Sequence, residues 1–266
     1  METRLMHNIA SAVWVEALKA RRSRMPWLTA LGFSLAPLAG GFFMIIVRDP
    51  AMAQRIGLIS MKAQLVAGTA DWPTYLGLLA QATGVAGIML FSLILSWVFG
   101  REFSDRTAKD LLALPTARTA IVLAKFVVAA TWSAGLVGFI CLLGLGVGHL
   151  VALPPASFAV LARGMVTVAA TAALTIAVTL PVAFFASAGR GYLPPMGTAI
   201  LGVILAQLVA AAGWGEYFPW AIPAFYAGTA GSVNANLGAA SYAIVVVTLL
   251  VGIAATLAWW EWADQS

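Results

Sequence analysis

Six long apolar runs pass through the chain, at residues 26–47, 72–99, 119–150, 158–187, 194–214 and 239–260. A hydrocarbon core about 30 Å thick needs roughly 20 apolar residues in a helix, so each run is predicted to cross a bilayer. The third is long enough to tilt or protrude. Pro26 opens the first, a position where the missing N–H costs nothing. Ahead of it, residues 5–24 show helical spacing. Met6, Ile9, Val13 and Ala17 share one arc, with Trp14 at its margin, while Asn8, Ser11, Lys19 and Arg22 share the other. This predicts an amphipathic helix lying in the membrane interface, its cations near the headgroups. Residues 213–237 are too broken by glycine and proline for a span and too apolar for a free loop. They predict an outer re-entrant hairpin between spans five and six, shielded by the bundle. The longest loop, residues 48–71, predicts a short helix near 51–65. The fold class is an all-α integral membrane protein, with residues 1–266 forming a single transmembrane domain.

Composition supports this pattern. The chain is 62% hydrophobic and only 9% charged, with mean hydropathy +0.94, whereas soluble domains carry about 25% charged residues. The net charge of +5 therefore bears on orientation and headgroup contact. With the N-terminus inside, eleven of the 15 Lys and Arg residues fall on the cytoplasmic side. They are Arg4, Lys19, Arg21, Arg22, Arg24, Arg101, Arg106, Lys109, Arg118, Lys125 and Arg190. Arg48, Arg55, Lys62 and Arg163 fall outside. An even number of spans returns the C-terminus to the cytoplasm.

Several chemistries find no support. The acids lie in loops or at span ends, whereas ion-coupled carriers place a carboxylate at mid-membrane. His7 and His149 have no second metal ligand at suitable spacing. No Walker-type glycine loop occurs, so nucleotide hydrolysis is not expected in this chain. Nor do the basic residues come with elements that read nucleic acid. Cys141, the single cysteine, sits in an apolar run and reads as a packing residue. Arg163 is the deepest charge; it either snorkels to the interface or contacts an anionic group on a substrate.

The exception to the apolar pattern is residues 100–118. Glu102/Arg106, Asp105/Lys109 and Arg106/Asp110 are opposite charges at i, i+4, each worth about 0.2–0.5 kcal/mol on an exposed helix. Phe103, Thr107, Ala108, Leu111 and Leu112 make an apolar stripe beside them, and Leu114-Pro115 ends the helix. The pattern predicts a short amphipathic helix across the membrane surface between spans two and three. Such a helix suits a groove on a partner protein; an ordinary charged loop laid on the headgroups is the alternative.

The run from Arg101 to Thr119, continuing to Lys125, resembles the permease subunits of ABC-2 type exporters, in particular the bacitracin and lantibiotic-resistance branch. The matching residues are Glu102, Thr107, Leu111, Leu112, Leu114, Pro115, Thr116, Arg118 and Lys125. Glu16 and Lys19 resemble the family's N-terminal interfacial helix, and Pro219-Trp220-Ala221-Ile222-Pro223 its outer hairpin.

The resemblance implies a division of labour. Two permease subunits, identical or homologous, form the pathway, and two copies of an ABC ATP-binding subunit dock below. ATP and Mg belong to that partner, and no cofactor is expected in this chain. A coupling element comprising Arg101, Glu102, Phe103, Asp105, Arg106, Thr107, Lys109, Asp110, Leu111 and Leu112 would sit in a cleft of the ATPase. An interfacial helix with Trp14, Glu16, Lys19, Arg21 and Arg22 would touch the ATPase too. The membrane is the bacterial inner membrane, and the cargo is amphipathic or hydrophobic, since the spans offer it almost no fixed charge. A secondary carrier or channel without an ATPase is the competing class; a membrane-embedded enzyme or scaffold is the third.

Overall fold

The computed structural model describes residues 2–49, 69–107, 116–229 and 237–262. In chain order these form α1 (Glu2–Arg22), α2 (Met25–Arg48), α3 (Trp72–Ser104), α4 (Arg118–Leu150), α5 (Phe158–Thr179), α6 (Val182–Ala188) and α7 (Leu193–Ala211). A 3-10 turn (Gly215–Tyr217), α8 (Ile222–Tyr226) and α9 (Ala239–Trp262) follow. Six segments are long and apolar enough to cross a membrane: α2, α3, α4, α5 with α6, α7 and α9. The short helix expected near 51–65 lies outside the described residues.

Local chemistry sets the starts of the helices. Asp71 caps α3 by accepting the Thr74 N–H at 2.9 Å, with Pro73 in the first turn where its missing N–H is harmless. Ser157 caps α5 by accepting from the Val160 N–H. The fourth span is bent rather than continuous. Pro181 cannot donate a backbone hydrogen bond, so the helix breaks between Thr179 and Val182. Gly252 of α9 fits against this bend, where a Cβ would come within 2.6 Å of the Pro181 nitrogen.

The most buried span is α3, while α7 and α9 are the most exposed. Its side chains Tyr75, Leu79, Phe91, Ile94 and Phe99 form the centre of the apolar core. Outside the core, Trp27, Leu31, Leu35, Leu142, Leu193, Leu208 and Leu250 are exposed. In water such a surface would aggregate; around a bundle of spans it is the face that meets lipid tails.

Two boundaries differ from the sequence reading in ways that matter. The second span does not stop at Phe99 but runs as one helix to Ser104. Its 33 residues make a rod about 50 Å long, which outreaches a 30 Å hydrocarbon core. Glu102 thus belongs to the last turn of a span, not to a separate surface helix. The helix ends at Asp105–Arg106, where Arg106 takes φ +59°. That left-handed residue destroys the i, i+4 geometry needed for a Glu102–Arg106 pair. The expected pairs Asp105/Lys109 and Arg106/Asp110, with Leu111 and Leu112, involve residues outside those described.

Candidate functional site

Four charged side chains from three helices meet where α3 ends. Lys125, two turns into α4, is fully buried, and Glu16 of α1 and Glu102 of α3 are nearly so. The Lys125 ammonium donates to Glu16 Oε2 at 3.0 Å, to Glu102 Oε1 at 3.2 Å and to the Val98 carbonyl at 2.9 Å. Its three hydrogens are therefore all used. Lys19 of α1 donates to Glu16 Oε1 and to Glu102 Oε1, both at 2.8 Å. The remaining oxygen, Glu102 Oε2, accepts the Thr107 hydroxyl at 2.8 Å. Two lysines and two glutamates thus form a neutral quartet with every carboxylate oxygen engaged.

Burying four charges is costly, and the attraction between them repays it only when geometry and hydrogen bonding are complete. Here they are complete. The quartet ties α1, α3 and α4 together at this end of the bundle. Burial on its own would lower the Lys19 ammonium, but Glu16 and Glu102 outweigh it and hold its pKa above the ordinary lysine value. A lysine raised in the folded state stabilises fully below its unfolded pKa, and the benefit disappears as pH rises through the folded value. The Lys19 contribution should therefore be constant across neutral pH and be lost only above about pH 10.5. Thermal unfolding between pH 7 and pH 11 checks this: the alkaline loss should shrink in Lys19→Met.

Other contacts gather the same end of the bundle. Arg118, at the start of α4, donates to the Trp260 and Glu261 carbonyls at 3.2 and 3.4 Å. It places a cation on the C-terminus of α9, where free carbonyls and the helix dipole favour one. The Trp260 indole donates to the Ser187 hydroxyl at 2.9 Å, and Phe103 packs edge-on against Trp260. Gly100 lets the turn after α6 approach so closely that a Cβ would lie 2.8 Å from the Gly191 carbonyl oxygen.

This geometry revises several expected roles. Glu102 is turned into the bundle and Phe103 is half-buried beside Trp260, whereas Thr107 is exposed and gives its hydroxyl back to Glu102. Lys19 also points inward to Glu102, not toward the headgroups. The face of α1 that packs against the bundle carries Glu16 and Ala20, whereas Trp14 and Val15 are exposed. Ile9, Val13 and Ala17 of the expected apolar arc are half-buried beside Glu16 and Ala20, so the apolar and the ion-paired positions share one side of the helix. Arg21, Arg22, Ser104, Asp105 and Arg106 are exposed. Arg101 lies over the Trp97 ring at 5.1 Å and donates to Asp105 at 3.1 Å. Lys109, Asp110, Leu111 and Leu112 lie outside the described residues. Lys125 was missing from the expected site set. The signal was present, since a lysine within an apolar span requires a buried partner.

Toward the other end, a cavity of about 650 Å³ lies between α3, α7 and the segment after α7. Gln207 and Glu216 bring polarity to a lining that includes Ile88 and Trp220. Trp220 packs onto Gly202, in the middle of α7, and Gly84 of α3 lies against α8, where a Cβ would meet the Pro223 carbonyl at 3.0 Å. Arg163 borders a second groove of about 380 Å³ between α3 and α5. Among the described residues, no cluster of three or more His, Cys, Asp or Glu forms a metal site.

Comparison with known proteins gives two findings. Residues 12–206 match the family model described as ABC-2 family transporter protein, and that stretch contains all four members of the quartet. The chain is also 26% identical over 179 residues to the bacitracin transport permease protein BCRB of Bacillus licheniformis. The alignment covers 67% of this chain and 85% of that relative.

Proposed function

Because the chain belongs to the ABC-2 family of transporter proteins, we propose that its six spans are the permease half of an exporter worked by separate ATPase subunits. Two ATP-binding subunits dock at the quartet end, and a second permease, identical or homologous, completes the pathway. The excess of Lys and Arg near that end supports a cytoplasmic side for it and for both termini, in a bacterial inner membrane. The carrying observation is the quartet itself. It fastens α1 to the ends of two spans, so a push on the turn after Ser104 reaches three helices at once. Asp105 and Arg106, exposed on that turn, together with the residues that follow, form the ATPase contact. Glu102 instead works behind the contact, positioning it. A switch of this kind needs contacts that differ between two states, and closure of the ATPases supplies the difference.

Of the re-entrant outer hairpin read over residues 213–237, residues 230–236 lie outside the described residues, and the packing of 213–229 supports it. The contact of Trp220 with Gly202 lies nine residues from the end of α7, which is about 13 Å in at 1.5 Å per residue. The cargo is amphipathic or hydrophobic; a peptide antibiotic is consistent with the name of the B. licheniformis relative.

The test is reconstitution. The chain co-expressed with its ATPase should move a fluorescent amphipathic peptide in proteoliposomes only when ATP is supplied. Transport driven by an ion gradient, without the ATPase, would instead establish a secondary carrier.

A further inference from the structure

Arg163 lies five residues into α5, about 7–8 Å from the helix end at 1.5 Å per residue. It is exposed, and none of the ion pairs among the described residues includes it. A cation at this depth in a span is costly unless an anion or water reaches it. The groove beside it is apolar, lined by Pro73, Leu76 and Gly77 of α3 and by Ala159, Val160 and Thr167 of α5. Leu76 closes its floor by packing onto Gly164, while the space in front of Gly77 is open: a Cβ there would meet nothing within 4 Å. Pro73 of α3 and Ala159 and Arg163 of α5, all exposed, border this groove, so it opens to the outside of the bundle.

From this arrangement we propose that the α3–α5 groove binds one anionic glycerophospholipid. Its phosphate takes the Arg163 guanidinium, and the start of an acyl chain lies along Gly77 and Val160. The charge assigns the headgroup: guanidinium and phosphate form paired, charge-assisted hydrogen bonds, and a net anionic lipid leaves no competing cation at the site. The lining assigns the lipid over free phosphate, since an inorganic ion gains nothing from an apolar wall at bilayer depth. This site lies at the end of the bundle opposite the quartet, and it does not depend on the transport reading.

The experiment uses the full chain in nanodiscs of equal parts phosphatidylglycerol and phosphatidylcholine, released into a native mass spectrometer. Exposed Arg21, Arg22 and Arg24 at the end of α1 attract anionic lipid as well, so the informative quantity is the difference between variants. The wild type should retain one more phosphatidylglycerol per chain than Arg163→Gln, with no change in retained phosphatidylcholine. Gly77→Leu fills open space, leaves the arginine in place, and should lose the same single lipid. Arg163→Lys, which keeps the cation, should hold it. Unchanged phosphatidylglycerol in Arg163→Gln overturns the proposal. Loss in Arg163→Gln with full retention in Gly77→Leu overturns the groove and leaves a snorkelling arginine. Equal loss of phosphatidylcholine overturns the assignment of an anionic headgroup. A size-exclusion profile matching wild type accompanies each variant, so that a lost lipid is not a lost fold.

Discussion

Lys125→Met is expected to destabilise the folded chain by about 3–5 kcal/mol, the usual cost of removing one partner from a buried ionic cluster. The side chain is fully buried, and its loss leaves Glu16 and Glu102 facing each other with Lys19 alone to balance them. Glu16 Oε2 would then have lost the only donor described for it, and the Val98 carbonyl its side-chain donor. Methionine fills a similar volume, so the loss reports charge and hydrogen bonding rather than a cavity. Thermal unfolding in nanodiscs measures it. The informative companion replaces the whole quartet by apolar residues of similar size: Glu16→Leu, Lys19→Met and Glu102→Leu added to Lys125→Met. A buried ionic group exchanged for neutral residues is often close to neutral in stability, so this chain should regain most of the loss. If it also regains full coupling to the ATPase, the quartet is a structural fastening only. A Lys125→Met chain as stable as wild type would mean that the buried ion pairs carry no stability.

Reversing the charges on the exposed turn, with Asp105→Arg and Arg106→Glu together, should leave folding intact and break the complex. Both side chains are exposed, and neither joins the quartet. The Arg101–Asp105 pair is lost, but a pair this exposed is worth at most about 1 kcal/mol. Across a docking surface the same reversal sets like charges against each other, which costs several kcal/mol. Co-purification of the ATPase should therefore fall at least about tenfold, the equivalent of 1.4 kcal/mol, with the melting temperature of the permease nearly unchanged. An intact complex with normal substrate-stimulated hydrolysis would remove this turn from the contact. A substitution at Glu102 cannot make the distinction, because it disturbs Lys19, Lys125 and Thr107 before it reaches any partner.

The difference between these two experiments follows from a place where local pattern misled. Glu102 and Arg106 have the spacing of a stabilising helical pair, and Phe103 lies on the apolar stripe between them. Local periodicity assumes that the helix continues. It stops at Arg106, whose positive φ removes the pair, while Lys19 and Lys125 offer Glu102 desolvated partners. A buried, doubly paired carboxylate outcompetes one exposed pair worth a few tenths of a kcal/mol. On α1, Glu16 and Lys19 likewise pair with α4 and α3, while Trp14 is exposed.

The sequence alone determined the six spans, because the hydrocarbon thickness imposes a length that composition either meets or does not. It also determined the start of the first span at Pro26, where a missing N–H acts within one turn, and the family to which residues 100–125 point. Tertiary structure decided the rest. The quartet joins residues 23, 83 and 109 positions apart, and no periodicity within a helix encodes which lysine meets which glutamate across such separations. Packing also decided that residues after α7 reach back to Gly202, and that span two continues as one rod through Glu102. Pairing of buried charges is settled only when several helices exclude water together, and that exclusion belongs to the assembled bundle.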